Sequence, residues 1–424
     1  LTTKTGSYKE NHYVPEWYQR RFLPIEGEKK FRYLDLMPDK FVDATGKVRY
    51  RKALQRWGVD RCFTQTDLYT TRFGDFESTD IEKFFFGRVD NDGRPAIDYF
   101  DSFEHPSVDE KAFHNLLNFM SIQKLRTPKG LGYLSNKASL RDKNAILFAM
   151  QKYQQLHCAI WTEAVWAIVD ASESSTKFII SDHPVTVYNE DCFPASDFCR
   201  GYGDPEIWML GTHTLFALSL NKALVLTNLS WVRNPYVNGL RLRPHPDPFR
   251  AAMFNYTAIQ TGRKLTELEV IQINYIIKKR ALRYIAAAKE DWLYPESRLQ
   301  STHWRKLNER YLFMPDPRSV VFSNGILVGY KERPADIFDE YGRRPGMQGF
   351  KDKVRRDIEW KTFLAFQGEY ARLFGPKRRG VGYELGRIQN LEDSPEYHQY
   401  HLGLEGKYKG NAGLARQRRD KRGI

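Results

Sequence analysis

Two short strings set chemically capable side chains beside proline: Asn11-His12-Tyr13-Val14-Pro15 and Ser181-Asp182-His183-Pro184-Val185. Proline fixes its own φ and restricts the residue before it, so each string reads as stiff backbone that aims a side chain. An imidazole with a reference pKa of about 6.5 works near neutral pH as a general base or a metal ligand, which makes His12 the first candidate. Asp182 and His183 follow the apolar run Phe178-Ile179-Ile180, where a strand delivers side chains to an edge or cleft. Were Glu82 to face the same cleft, His12, Glu82 and Asp182 would form a set able to hold one divalent cation, Mg²⁺ or Mn²⁺, and activate water. Gln123 and Arg126 lie one helical turn apart, and the fixed fork of donors on Arg126 suits a phosphate or carboxylate.

Each residue also has a plainer reading. His12 at the entry to a first helix can simply satisfy backbone carbonyls. Asp182 and His183 can make a turn at a strand end that Pro184 fixes. Thr79-Asp80-Ile81-Glu82 is a capping-box pattern that explains a Glu without chemistry. Gln123 can position water or cap a turn, and His213, opening another strand, reads more readily as core than as site.

The elements that must position these residues follow from caps and breakers. Ser107-Val108-Asp109-Glu110 is a capping box, and Phe113, Leu116, Leu117 and Met120 continue at helical spacing until Thr127-Pro128 stops the helix. Gln123 and Arg126 therefore sit at its C-terminal end. A second box, Thr266-Glu267-Leu268-Glu269, opens a long helix with Val270, Ile273, Ile277, Ala281 and Tyr284 as its apolar stripe. Between the two helices the period becomes extended over 164–169, 177–180, 185–188, 215–220 and 223–226, with Asn221-Lys222 closing the last pair into a hairpin. Ser323-Asn324-Gly325, between Ser319-Val320-Val321-Phe322 and Ile326-Leu327-Val328, is the strongest short hairpin signal. Strands and helices do not alternate regularly. The expectation is an α+β fold, helices around a central, mainly antiparallel sheet, with a basic helical C-terminal extension. It divides into a core over 1–300, a hairpin and connection over 301–350, and a basic region with a flexible tail over 351–424.

A chain of 424 residues, 41% hydrophobic and 14% aromatic, can bury a substantial core. No apolar run approaches the roughly 20 residues that span a bilayer, so no membrane partner is expected. The polar opening from Leu1 to Glu10 holds no apolar signal-peptide core, while a start at Leu rather than Met is compatible with a leader trimmed upstream. A reducing, cytoplasmic setting is the simpler expectation, since Cys62, Cys158, Cys192 and Cys199 contain no Cys-x-x-Cys pair. Cys192 and Cys199 read as ordinary thiols more readily than as a zinc half-site.

The net charge is +14, and the segment from Lys351 onward, with 17 Lys and Arg against 10 Asp and Glu, carries about half of the excess. Lys377-Arg378-Arg379 and the run 416–422 are its densest stretches, suited to phosphate contact with nucleic acid or to a solvated arm. Dinucleotide, Walker, nucleophile-elbow and zincin motifs are missing, as are helix-turn-helix and zinc-finger spacings.

The string from Asn11 to Phe22 resembles the opening of an uncharacterised, largely microbial family, domain-of-unknown-function family 4238. That family begins His-Tyr-Val-Pro and continues with Tyr-Leu-Arg and a Phe. It then shows a Glu-bearing helix, a Gln with Arg-Thr-Pro, and a Ser-Asp-x-Pro-Val turn. The corresponding residues are Glu82, Gln123 with Arg126-Thr127-Pro128, and Ser181 to Val185, over a span of roughly 11–290. Gln19 departs from the usual Leu, and Asp90 is the nearest candidate for a second acidic residue after Glu82. The resemblance implies kinship of fold and candidate site residues, and no reaction.

Three functions stay open. The first is a metal-dependent nuclease or phosphodiesterase acting on RNA or DNA, as an effector in bacterial defence or conflict. The second is a non-catalytic nucleic-acid or protein binding module. The third is a hydrolase of a small phosphorylated metabolite. A basic groove running from Arg126 to the C-terminal region favours polymer cleavage, and a bounded pocket favours the metabolite.

Overall fold

The computed structural model describes residues 10–74, 76–103, 109–199, 203–249, 259–322, 325–328, 334–376, 379–384, 387–388 and 394–421. The fold is α+β. Its largest sheet has seven strands in the order Val185–Tyr188, His213–Ala217, Lys222–Thr227, Val165–Asp170, Ile259–Lys264, Val381–Glu384, Arg387–Ile388. Every neighbouring pair is antiparallel except Val165–Asp170 with Ile259–Lys264. The central strand is buried from Val165 to Val169, which explains why its sequence is an unbroken apolar run rather than an alternating one. A smaller antiparallel sheet joins Ile180–Ser181, Tyr284–Ala287, Phe31–Asp35 and Leu54–Trp57.

The Glu110–Arg126 helix is the spine of the N-terminal half. Asp109 caps it by accepting from Ala112 N at 3.0 Å, while Ser107 lies outside the described residues. Every residue from Phe119 to Arg126 is buried. This end of the helix has no wet face, so its polar residues must find partners inside the protein. Thr127 ends it and at once caps a further helix, Pro128–Lys137, accepting from Gly130 N at 3.1 Å with Pro128 in the first turn. The Thr266 capping box forms with Glu269, and its helix runs Glu267–Arg280, so Tyr284 opens a strand instead of extending the apolar stripe.

Two expectations about the C-terminal third need correction. Ile326–Val328 pairs with Asp336–Phe338, and Val320 to Phe322 form no strand. Val320 and Phe322 are held instead in a second apolar cluster with Phe363 and Phe366. Ser323 and Asn324 lie outside the described residues. The expected flexible tail is a helix, Pro395–Lys421, packed on Lys353–Phe374. Gly368 permits the approach, because a Cβ there would fall 2.4 Å from Glu405 N, and Leu404 and His401 are buried beside it. Val381 and Gly382 pair with Thr261 and Gln260, so the large sheet holds strands from both sides of residue 351. No helix among the described residues is long and apolar enough to cross a membrane.

Candidate functional site

A cleft of about 470 Å³ opens between the first strand and helix, the loop at Tyr69 and the ends of two long helices. His12, Glu16, Tyr69, Glu82, Asp90 and Arg126 line it. His12 comes from the strand Glu10–His12, which pairs with Thr64–Thr66, and Pro15 then starts the helix Glu16–Arg20. Its Nε2 lies 3.6 Å from Glu16 Oε1 and has no hydrogen-bond partner.

Glu82 sits in a π-helical turn, Ile81–Phe86, that runs into the helix Gly87–Asp101. No side chain caps this start, and Glu82 reaches Asn11 Nδ2 across the cleft floor, so the capping-box reading does not describe it. Wide turns of this kind recur at functional sites because they re-aim side chains. Asn11 is itself fixed, its Oδ1 accepting from Tyr69 N at 3.3 Å, and Tyr69 Oη donates to Arg126 O at 2.8 Å. Gly93 brings Asp90 to the site: a Cβ there would fall 2.4 Å from Phe119 Cδ2, so only glycine lets the two helices press together at that level.

Arg126 is 1% exposed and held on three sides. Gln123 Oε1 accepts from its Nε at 2.7 Å, and Gln123 Nε2 donates to Tyr13 O at 2.9 Å, so this glutamine orients the guanidinium rather than water. Asp90 Oδ1 lies 2.9 Å from Nη1, and the rings of Phe86 and Phe119 flank the group. Nη2 has no partner. Leaving a buried donor unmade costs about 1–3 kcal/mol, so this one is poised for an acceptor that enters the cleft. Burial raises the Glu82 carboxyl above its ordinary value, against the hydrogen bond from Asn11. Burial raises Asp90 as well, opposed by Arg126. The cleft thus combines an imidazole nitrogen without a hydrogen-bond partner, a carboxyl raised by burial and an open guanidinium donor.

Asp182 and His183 are elsewhere. Asp182 accepts from the backbone N–H groups of Leu282, Arg283 and Tyr284 at 2.8, 2.7 and 2.8 Å, tying the Ser181 turn to the end of the Glu267–Arg280 helix. Both its oxygens are thus engaged by the chain. The three-residue cation set is therefore not assembled, and among the described residues no group of three or more His, Cys, Asp or Glu is placed to hold a metal ion. His183 contacts Thr127 Oγ1 at 2.7 Å through Nδ1, and Lys124 Nζ and Asp204 Oδ2 at 3.2 Å through Nε2. Asp204 also takes Lys124 at 2.8 Å and Lys129 at 2.6 Å. Burial, then the Lys124 ammonium, pushes His183 down to about 3, so the imidazole is neutral. This knot encloses only about 30 Å³, room for a water and not for a substrate.

The basic candidates fare similarly. Lys377 and Arg378 lie outside the described residues. Arg379 pairs with Glu269, donates its backbone N–H to Asp316 at 3.2 Å, and so locks the C-terminal region to the core rather than offering a free cation. His213 Nδ1 meets Thr227 Oγ1 at 2.9 Å inside the sheet. Cys199 Sγ accepts from Arg280 at 3.1 Å, and Cys192 O accepts from the same guanidinium at 2.5 Å. Sequence reasoning missed Glu16, Tyr69, Lys124, Lys129 and Asp204. Glu16 was within reach, four residues after His12 at the start of a helix, whereas Asp204 carries no local signal. No family model, no curated protein and no solved structure matches the chain.

Proposed function

We propose that the chain is a phosphate-ester hydrolase whose substrate enters the cleft between His12, Glu82 and Arg126. The observation that carries this reading is the unpaired Nη2 of a buried, pre-oriented arginine facing a cavity of small-ligand size. Arg126 takes a phosphoryl oxygen, and the negative charge that builds up in the transition state strengthens that contact. His12 Nε2 accepts a proton from a water, whose oxygen attacks phosphorus. The ester P–O bond breaks as protonated Glu82 donates to the leaving oxygen, so the proton lost at one end of the reaction is replaced from the other. Asp90, Gln123 and Tyr69 position the arginine. Glu10, Glu16 and Arg20 at the rim make the entrance more acidic than basic, which supports a small ester over a polyanion.

A second reading, a divalent-metal nuclease, is favoured by the net charge of +14. One experiment separates the two. Purified protein is incubated with a panel of phosphomonoesters and phosphodiesters, RNA, single-stranded DNA and duplex DNA, each with Mg²⁺, Mn²⁺ or chelator. Turnover of small esters that disappears in both His12→Ala and Glu82→Gln supports the hydrolase. Turnover that survives both removes it, metal-dependent polymer cleavage installs the nuclease, and an inert protein that binds these substrates is a binding module.

A further inference from the structure

The strands Phe31–Asp35 and Leu54–Trp57 do not end at the small sheet; the chain runs on from them as a two-stranded arm, Lys40–Val42 paired with Val48–Tyr50. Arg51 N donates to Asp39 O at 2.9 Å and Asp35 N to Ala53 O at 2.9 Å, so ladder and arm are continuous. All six strand residues of the arm are exposed. An isolated two-stranded ribbon with no covered face is marginal in water, and here it also displays Val42 at 66%, Val48 at 63% and Tyr50 at 61% exposure. Its base is tethered, since Arg283 reaches Asp35 at 2.7 Å and Asp39 at 3.0 Å. Its tip is tethered as well: Asp43 Oδ1 accepts from Thr45 N at 2.9 Å and Lys47 N at 3.0 Å.

Charge identifies the partner. Residues 36–53 hold five Lys and Arg against two Asp, and both acids are already spent, Asp39 on Arg283 and Asp43 on Arg49. Lys40, Lys47, Arg51 and Lys52 have no carboxylate partner among the described residues, and Lys40 lies 5.4 Å from the centre of the Tyr50 ring. Cross-strand partners share a face, so Lys40 and Tyr50 stand together on one side, and Phe41 and Arg49 on the other. Each face therefore pairs a cation with an aromatic ring. An anionic membrane would have to bury the polar turn of Asp43, Thr45 and Lys47 before it reached the apolar side chains behind it. A duplex groove about 12 Å wide admits a two-stranded ribbon along its length, turn included.

We infer that this arm docks in a groove of duplex DNA, its lysines and arginine on the phosphates and its rings against the groove wall. The arm shares no residue with the His12 cleft, so the inference stands whether or not the hydrolase reading does. The test is anisotropy of a fluorescent duplex titrated with the full chain over a range of salt. Four phosphate contacts give a slope of log K against log salt of about −3.6, a loss of about 100-fold between about 50 and about 200 mM. The combined variant Lys40→Ala, Lys47→Ala, Arg51→Ala, Lys52→Ala, all surface positions, should flatten that slope and weaken low-salt binding about 100-fold. Phe41→Ser with Tyr50→Ser should weaken binding at an unchanged slope, and Arg416→Ala, Arg418→Ala, Arg419→Ala should leave both intact. Wild-type affinity and slope in the fourfold variant, with an unchanged circular dichroism melt, overturn the inference. So does an absence of duplex binding, including the case in which the protein binds phosphatidylserine vesicles instead.

Discussion

The cleft at His12 and the knot at His183 are built from the same kinds of residue, and they differ in what is left over. Both gather an imidazole, a carboxylate and a buried cation near the C-terminal end of one helix, since Lys124 serves the knot and Arg126 the cleft. In the knot every one of these groups has a partner: His183 on both nitrogens, Asp204 on both oxygens, and Asp182 on three backbone N–H groups. In the cleft His12 Nε2 and Arg126 Nη2 have no hydrogen-bond partner beside about 470 Å³ of space. Chemistry needs unused valence next to room. Residue type alone does not distinguish a machine from a lock.

The contrast breaks most visibly if the cleft mutants behave like lock mutants. His12→Ala and Glu82→Gln should each lower turnover by about 10³-fold, a loss of about 4 kcal/mol of transition-state stabilisation. Both should melt like the parent in circular dichroism. Loss of folding in either would move that residue to the structural side.

Asp182→Ala should do the reverse. It strips the acceptor from three buried N–H groups, and the expected loss is about 3 kcal/mol of stability or more by urea titration. Asp182→Asn is no rescue, because its amide nitrogen would face donors. The folded fraction should keep the parent's turnover per molecule. A full-strength fold with abolished turnover would return Asp182 to the catalytic set.

Acid should reach the lock first. His183 and His213 are each pushed by burial from 6.5 down to about 3 in the folded chain. A base whose folded pKa is depressed stabilises the fold above its unfolded value, and that stability drains away as pH falls from about 6.5 toward about 3. Each imidazole should therefore cost about 1–2 kcal/mol between about pH 7 and about pH 5, measured by urea titration. Glu82 and Asp90 work in the opposite sense, because carboxyls raised by burial contribute stability at low pH and lose it as pH rises through their folded values. Imidazole NMR signals of His183 and His213 that titrate between pH 7 and 5 would mean that the two rings are not held neutral.

How much of this was written locally is uneven. Thr127-Pro128, the Thr266 box and the apolar strand at Val165 are decided within a few residues, and each formed where its sequence placed it. The hairpin at Ser323 did not, because the partner of Ile326–Val328 is a strand eight residues past it, and Val320 and Phe322 gain more from the second core. The tail expected to be flexible is a helix that Gly403 and Gly406 weaken, and it is supported by packing on Lys353–Phe374 that local propensity cannot register. The site divides along the same line. His12, Glu82 and Arg126 carried visible chemical potential, while their convergence, and the exclusion of Asp182, depended on contacts spanning from tens of residues to about a hundred.

The smallest effect is the most diagnostic of the boundary between the two regions. Glu16 lies 3.6 Å from His12 and 2.5 Å from Arg20 at the cleft rim, its side chain 37% exposed. Exposed pairs at this spacing are worth about 0.3–0.5 kcal/mol, so Glu16→Gln should leave the melt within that margin. A carboxylate at the mouth repels an incoming phosphate, and removing it should lower KM for a small phosphate ester about two- to fivefold at low salt, with the gain fading as salt screens it. At the knot, removing one carboxylate would strand two buried ammonium groups. At the cleft the same chemical change should retune binding and leave the fold alone, and a KM that does not move would place the substrate's charge somewhere other than beside His12.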